Sequence, residues 1–287
     1  MLMEDKKERP FIKSHNAQVL VWGVLALVIG LPASSITCGL ASFAMWVENL
    51  SNLLPVILMA IPSYFIVASI HELGHILIGL CHGFKFHLFV IGPIGLKRNE
   101  KDRVVLYLEK NPVLWGGISG VWPKVEDSGN FKAFARVLIA GPLFSLVFGG
   151  ISLYLYFLID HQFLLLLGAM AVGMSIATLI PLRAGVFYSD GGRWLRIVRN
   201  TQARNVELAL FHLIQAAVVH QSYAHINIAD TQPLIDYEDC REQYIGHFYA
   251  MNYYKERGFS TMEEKHRLEL KNLEPKVPKS FVKLMAQ

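Results

Sequence analysis

Hydrophobic positions in the first two thirds of the chain form long unbroken runs, with no polar stripe at helical spacing. A soluble core helix would show such a stripe, and a helix that crosses a bilayer core needs ~20 apolar residues. The runs predict four membrane-spanning helices, at about 17–45, 53–82, 136–159 and 163–182. Apart from Arg136 at the start of one run, Glu72 is the only charged residue within them.

Composition supports the same class of protein. Hydrophobic residues make up 53% of the 287-residue chain, and its mean hydropathy of +0.36 is high for a soluble globular protein. The three cysteines, Cys38, Cys81 and Cys240, are too widely scattered to indicate a disulfide framework or a CxxC metal site. We therefore expect an all-α polytopic membrane protein.

The basic residues predict how the chain crosses the membrane. Lys and Arg are frequent in the N-terminal tail 1–16, in the segment 83–135 and just after the fourth run, and they are missing from 46–52 and 160–162. Cytoplasmic connections carry the excess of Lys and Arg, so both termini are expected in the cytoplasm. We expect an integral multi-pass protein of a bacterial cell membrane. The net charge of +4 is then a topological signal and indicates no nucleic-acid partner.

The segment 83–135, between the second and third spans, differs from the spans in its residue pattern. Short β-branched and aromatic runs such as "FKFHLFVIG" and "RVVLYLEK" alternate with glycine and proline, as strands and turns do. Tryptophans in "WGGISGVWP" favour the membrane interface. We expect a small membrane-associated β segment within a membrane-embedded domain that covers 17–200.

The remaining residues, 201–287, predict a helical cytoplasmic tail. Hydropathy falls there, and the amphipathic run "RNVELALFHLIQAAVVHQ" is followed by a longer helical pattern that Gly258 ends. Ser260 with Glu263 three residues on matches a capping box at the start of a further helix. The tail is too short for a large second enzyme domain, and it is where we expect a regulatory partner to bind.

The second span contains the candidate catalytic and metal-binding residues, in "SIHELGHILIG" at 69–79. His71 and His75 are four positions apart, so a helix puts both imidazoles on one face, where they can bind one Zn²⁺. Glu72 stands beside them and can take a proton from a water at the metal. Ionisable groups within a span are costly, which favours a functional site over a polar cluster that joins helices.

Two histidines and a water leave tetrahedral zinc short of one protein ligand. Asp190, in "VFYSDGGRWL", is the only acidic residue between Asp160 and Glu207, and it follows the fourth span, which ends on the same side as the second. Gly191 and Gly192 allow a close backbone approach there. Asp190 is therefore either the third ligand or simply the N-cap of a short helix.

These motifs together resemble the site-2 protease family of intramembrane zinc metalloproteases, over roughly residues 53–200. "AGPLFS", residues 140–145, is also similar to the family's Gly-Pro element. The resemblance implies one zinc per chain held by His71, His75 and Asp190, with Glu72 as the catalytic base. It implies a membrane-protein or signal-peptide-like substrate, cut in or beside the bilayer near its cytoplasmic face.

One departure from the family concerns substrate contacts. Many members carry Asn where this chain has Thr178, in "TLIPL". Two other functions use the same residues: a zinc-binding membrane transporter or sensor, and a non-catalytic membrane scaffold. A transporter would show polar groups along a whole pathway, whereas these spans are polar only around the site. A scaffold has no need of Glu72.

Overall fold

The structure, a computed structural model, describes residues 53–99, 101–123, 130–184, 187–199 and 202–285. The predicted N-terminal tail and the predicted span 17–45 lie outside the described residues. Within them the chain is mostly helical, with three helices long and apolar enough to cross a membrane and a small antiparallel sheet. It divides into two compact units. Unit 1 holds the described residues up to Leu182 together with Ser189–Gly192, and unit 2 holds the others.

The three apolar helices are α1 (Leu53–Cys81), α2 (Asn130–Ile159) and α3 (Gln162–Leu179). Helix α2 begins six residues before the predicted span at 136, because its first turns carry no glycine or proline and already bury Phe134 and Ala135. Helix α3 ends before Pro181, which disfavours helical backbone in the residue that precedes it.

Small residues let these helices pack closely. A Cβ added to Gly74 on α1 would lie 2.9 Å from the carbonyl oxygen of Ala140 on α2. A Cβ on Gly149 of α2 would lie 3.1 Å from the carbonyl oxygen of Gly168 on α3. Membrane helices associate mainly by such close packing, because lipid supplies no hydrophobic drive between them.

The segment between α1 and α2 folds as the predicted small sheet. Its strands are β1 (Phe84–Ile91), β2 (Ile94–Arg98), β3 (Val104–Leu108) and β4 (Ile118–Pro123), and a 3₁₀ turn at Pro112–Gly116 leads into β4. All pairs are antiparallel in the order β3-β2-β1-β4, with Phe89 opposite Leu96 on one side and Ser119 on the other. Strand β4 packs on α1, where a Cβ on Gly79 would lie 2.7 Å from Val121.

Unit 2 begins with a short hairpin, β5 (Arg183–Ala184) and β6 (Phe187–Tyr188), and is otherwise helical. Helix α4 (Asp190–Val198) has its first three residues in unit 1 and the others in unit 2. The further helices of unit 2 are α5 (Gln202–His220), α6 (Gln232–Ile235), α7 (Cys240–Glu256), α8 (Ser260–Leu273) and α9 (Lys279–Met285). They bury one apolar core, which includes Leu213, Leu234 and Ile245.

The capping box predicted at Ser260 is wrong. Ser260 is the first residue of α8, Phe259 is its N-cap, and no side chain caps the helix there. Gly258 does end the preceding helical segment, with φ of +78°, a conformation that glycine adopts without strain. The chain therefore turns at Gly258 and re-enters a helix two residues later without a side-chain cap.

Buried ion pairs join the helices of unit 2. Glu207 on α5 is almost fully buried and accepts from Arg196 at 2.8 Å and from Arg193 at 3.1 Å. Glu242 on α7, equally buried, lies within 3.3 Å of Arg183. Removing one partner would weaken the compensation of a buried charge, so this network makes the unit sensitive to single substitutions.

Candidate metal centre

Helix α1 places His71 and His75 on one buried face, as their spacing predicts. Both residues are less than 10% exposed, and their Nε2 atoms are 3.3 Å apart. The rings meet edge to face. Since positions i and i+4 lie one helical turn apart, the α-helix itself accounts for this juxtaposition.

Asp190, far away in sequence, joins the two histidines. Its Oδ2 lies 3.0 Å from Nε2 of His71 and 3.5 Å from Nε2 of His75. Among the described residues, these three form the group of His, Cys, Asp and Glu side chains whose ligand atoms are close enough to hold one ion. The structure thus brings together all three residues that the sequence predicts as metal ligands.

The first turn of α4 leaves the Asp190 carboxylate available for this contact. Asp190 is the first residue of the helix, and the hydroxyl of Ser189 accepts from the backbone N–H of Gly192 at 3.3 Å. Ser189 also donates to the carbonyl oxygen of Ile180 at 2.5 Å. The capping role that was the alternative for Asp190 therefore belongs to Ser189.

Gly191 lets the start of α4 lie directly against the end of α3. A Cβ at Gly191 would sit 1.9 Å from the carbonyl oxygen of Leu179, a distance that no side chain can tolerate. The neighbouring loop is fixed by the backbone, because Ser189 donates its N–H to Leu182 at 2.7 Å. This contact sets the position from which Asp190 reaches the histidines.

Helix α2 holds the far side of each imidazole. Nδ1 of His75 donates to the carbonyl oxygen of Val137 at 2.7 Å, and Nδ1 of His71 lies 3.0 Å from the hydroxyl of Ser145. A carbonyl can only accept, so a neutral His75 carries its proton on Nδ1 and directs a bare Nε2 towards the cluster. Such partners orient metal-binding histidines.

The sequence does not indicate a role for Ser145, the last residue of "AGPLFS". Gly141 in that element is needed for steric reasons. A Cβ there would lie 2.2 Å from Nε2 of His75, so only glycine lets α2 pass the ring. The Gly-Pro element therefore supplies space for one predicted ligand, while Ser145, four residues further along α2, contacts the other.

The electrostatics also favour a cation at the cluster. Burial favours the neutral acid, yet the imidazoles of His75 and His71 outweigh it and hold the pKa of the Asp190 carboxyl well below its ordinary range. Asp190 is therefore a carboxylate, and when the two imidazoles are neutral each directs a ring nitrogen with a lone pair towards it. One anionic oxygen and two neutral nitrogens are a donor set that zinc accepts.

The separations of the three ligand atoms fit tetrahedral zinc. Bonds of ~2.0–2.1 Å at tetrahedral angles put neighbouring ligand atoms ~3.3–3.4 Å apart. The observed separations are 3.3 Å, 3.0 Å and 3.5 Å, so each lies close to that value. The residues present therefore fit one zinc ion without a change of backbone.

The Glu72 side chain contacts the sheet, whereas the two histidines contact α2. Its Oε2 accepts a hydrogen bond of 2.5 Å from the hydroxyl of Ser119 on β4, and the side chain is half-buried. Sequence reasoning missed Ser119, because "WGGISGVWP" indicated only glycine-rich turns and interfacial tryptophans. The pair of glycines before it was the one available signal of a close backbone approach.

Thr178, at the position where the resemblance implies Asn, bonds to its own helix. Its hydroxyl donates to the carbonyl oxygen of Met174 at 2.9 Å. The chain matches no protein-family model, no curated protein and no solved structure. Its functional assignment therefore rests on the cluster of His71, His75 and Asp190 with Glu72 beside it.

Proposed function

We propose that the protein is an intramembrane zinc metalloendopeptidase of the site-2 protease type. The observation that carries the proposal is the set of near-tetrahedral separations among the ligand atoms of His71, His75 and Asp190, with an acid at the position after the first histidine. Zinc, when bound, would supply a Lewis acid that polarises the scissile carbonyl and activates a water.

Each residue has a distinct task in this proposal. His71, His75 and Asp190 hold one zinc ion, with Ser145 and the carbonyl of Val137 orienting the imidazoles. Glu72 takes the proton of the attacking water and later gives it to the leaving amine nitrogen. Its place next to His71 on the same helical turn keeps the base beside the metal ligands without making it one.

The proposed membrane topology includes one predicted span that lies outside the described residues. With the predicted span at 17–45, α1 to α3 make four spans with both termini in the cytoplasm, and the site lies in the cytoplasmic half. Water for hydrolysis then comes from the cytoplasm. Cysteine labelling tests this, because a cysteine at Lys101 should react with an impermeant thiol reagent only after the membrane is permeabilised.

The substrate class is a membrane-protein or signal-peptide-like segment that unwinds before cleavage. A helical peptide bond is shielded by its own hydrogen bonds, and an extended chain can be held by adding a strand to a sheet. The sheet between α1 and α2 has β3 and β4 as its outer strands, and β4 carries the residue that contacts Glu72. Deleting the sheet, β1 to β4, should therefore weaken binding and turnover of a peptide substrate, and unchanged values would exclude this role.

Metal analysis with a cleavage assay tests the function itself. The parent should contain close to one zinc per chain, His71→Ala and His75→Ala should lose most of it, and Glu72→Gln should keep it while losing cleavage. His82→Ala, an exposed histidine just after α1, is the matched control and should change neither quantity. Equal zinc in His71→Ala and the parent would refute the proposal.

The same variants separate the protease from a transporter or sensor. A protein that only moves or senses zinc needs its ligands and has no use for a base, so Glu72→Gln would leave its activity intact. Glu72→Gln protein also serves as a trap. Membrane proteins that accumulate uncleaved in its presence identify the substrate.

A further inference from the structure

Strand β4 makes a polar contact with Glu72, the proposed base. The hydroxyl of Ser119 donates to Oε2 of Glu72 at 2.5 Å, across 47 positions in sequence. That distance is at the short end for a hydroxyl with an oxygen acceptor. This hydrogen bond is made to one oxygen of the carboxylate, Oε2, and among the described residues it does not engage the other, Oε1.

A second observation shows that the chain approaches Glu72 closely at the same place. Gly117 has φ of +109°, which other residues rarely adopt, and a Cβ there would lie 3.2 Å from Oε1 of Glu72. A side chain at this position would crowd the oxygen that Ser119 leaves available. Glycine keeps the space around Oε1 clear.

Two side-chain hydrogen bonds join the segment 116–119 to α1, and only one of these two is made to the base. Besides the contact from Ser119, the hydroxyl of Tyr64 on α1 donates to the carbonyl oxygen of Gly116 at 2.9 Å. Tyr64 therefore docks the segment without touching Glu72 through this bond. Loss of the Tyr64 hydroxyl therefore tests docking of the segment, and loss of the Ser119 hydroxyl tests positioning of Glu72.

We propose that Ser119 is a positioning residue that holds Glu72 in the rotamer from which Oε1 takes the proton of the attacking water. The inference rests on the proposed function. The proton moves from water to Oε1 and then to the leaving nitrogen, while the hydroxyl of Ser119 keeps its own proton throughout. A general base must stay within hydrogen-bond reach of the proton it abstracts, and a glutamate with three rotatable bonds does so only when held.

The test uses two substitutions at Ser119 that have nearly the same shape. Ser119→Thr keeps the hydroxyl, Ser119→Val replaces it with a methyl group, and both residues suit a strand. We expect Val to lower kcat by ~10- to 100-fold, the cost typical of losing an orienting partner, and Thr to retain most of the activity. KM and zinc content should stay within about twofold of the parent for both, since no substrate or metal contact is removed.

Two further measurements separate positioning from docking. Tyr64→Phe removes the other hydroxyl that fastens the segment and should leave kcat unchanged. In a Glu72→Asp background, whose shorter side chain does not reach Ser119, the Thr and Val variants should have equal residual rates. Infrared difference spectra against Glu72→Gln report the carboxylate bands of Glu72 without turnover, and these bands should shift in Ser119→Val and stay in place in Ser119→Thr.

The outcomes distinguish this inference from the proposed function. Equal kcat for Ser119→Thr and Ser119→Val, in a parent that needs Glu72 for cleavage, overturns the role of Ser119 alone. Equal losses in Ser119→Val and Tyr64→Phe also overturn it, because they show that the hydroxyls only dock the segment. A parent that binds no zinc, or that cleaves equally well with Glu72→Gln, overturns both proposals.

Discussion

Replacing Gly141 by alanine should disable the metal site while leaving the helix intact. Gly141 lies inside α2, where alanine is the better helix former by about 1 kcal/mol. The added Cβ would nevertheless lie 2.2 Å from Nε2 and 2.6 Å from Cε1 of His75. The ring cannot remain where it is.

The size of the effect follows from these distances. Non-bonded heavy atoms approach to about 3.5 Å, so Nε2 of His75 must move by ~1 Å or more. Metal–ligand distances are kept within about ±0.2 Å, so this displacement removes His75 from the ligand set. The hydrogen bond of 2.7 Å from Nδ1 to Val137 also resists rotation of the ring. We expect zinc affinity to fall by roughly 100-fold or more.

Gly150 provides the matched control. It lies in the same helix nine positions later, and a Cβ there would meet no atom within 4 Å. Gly150→Ala should therefore bind zinc like the parent and be at least as stable. Competition with a chromophoric chelator measures zinc affinity in detergent, and thermal unfolding without metal shows whether each variant is folded.

The result that would refute the steric argument is a folded Gly141→Ala protein with the zinc affinity of the parent. That result would mean that His75 is not a ligand, or that α2 does not pass the ring as closely as the structure shows. A variant that loses zinc in step with a collapse in thermal stability would instead show that packing of α1 on α2 is the limiting factor. Gly150→Ala shows how much stability the change from glycine to alanine alone costs in α2, because it makes the same chemical change without a clash.

Three further predictions concern single side chains. Asp190→Asn should lower zinc affinity ~10-fold or more and leave the helix content unchanged, because the capping group of α4 is the neighbouring serine; unchanged zinc binding would contradict a ligand role. Glu207→Gln should destabilise unit 2 by ~3 kcal/mol in chemical unfolding, because buried Arg196 loses its nearest carboxylate and keeps only the more distant Glu242, and exposed Glu238→Gln should cost little. Burial lowers the pKa of His266 to about 4 from 6.5, so its contribution to stability is present above pH 6.5 and is lost as pH falls towards 4. Protection factors for amide hydrogen exchange in 240–273, which correct for the intrinsic pH dependence of the exchange rate, should fall over that range and fall less in His266→Gln. Equal pH dependence in both proteins would contradict the assignment.

Local rules account for what could be predicted from the sequence. Long apolar runs require helices because lipid offers no partner for backbone polar groups, and three of the four predicted spans correspond to α1, α2 and α3. The spacing of His71 and His75 places both on one face whatever surrounds the helix. The strand character of 84–123 follows from its β-branched and aromatic residues, and it appears as the sheet.

Helix ends were less predictable. Helix α2 begins six residues before the predicted span, because hydropathy marks where a helix enters lipid and says nothing of where its hydrogen bonds begin. The capping box at Ser260 failed for a related reason. Two side chains at the right spacing do not oblige the backbone to start the helix between them, and here Phe259 occupies the N-cap position.

Contacts between distant segments depended on the tertiary structure alone. Asp190 could be chosen from sequence only by elimination, and its distance of 3.0 Å from His71 is set by how closely Gly191 lets α4 approach α3. Ser145 resembles any serine in an apolar helix, and Ser119 resembles any serine in a strand. Their partners lie 74 and 47 positions away, and periodicity carries no information at that range because it reports only which side of its own element a residue occupies.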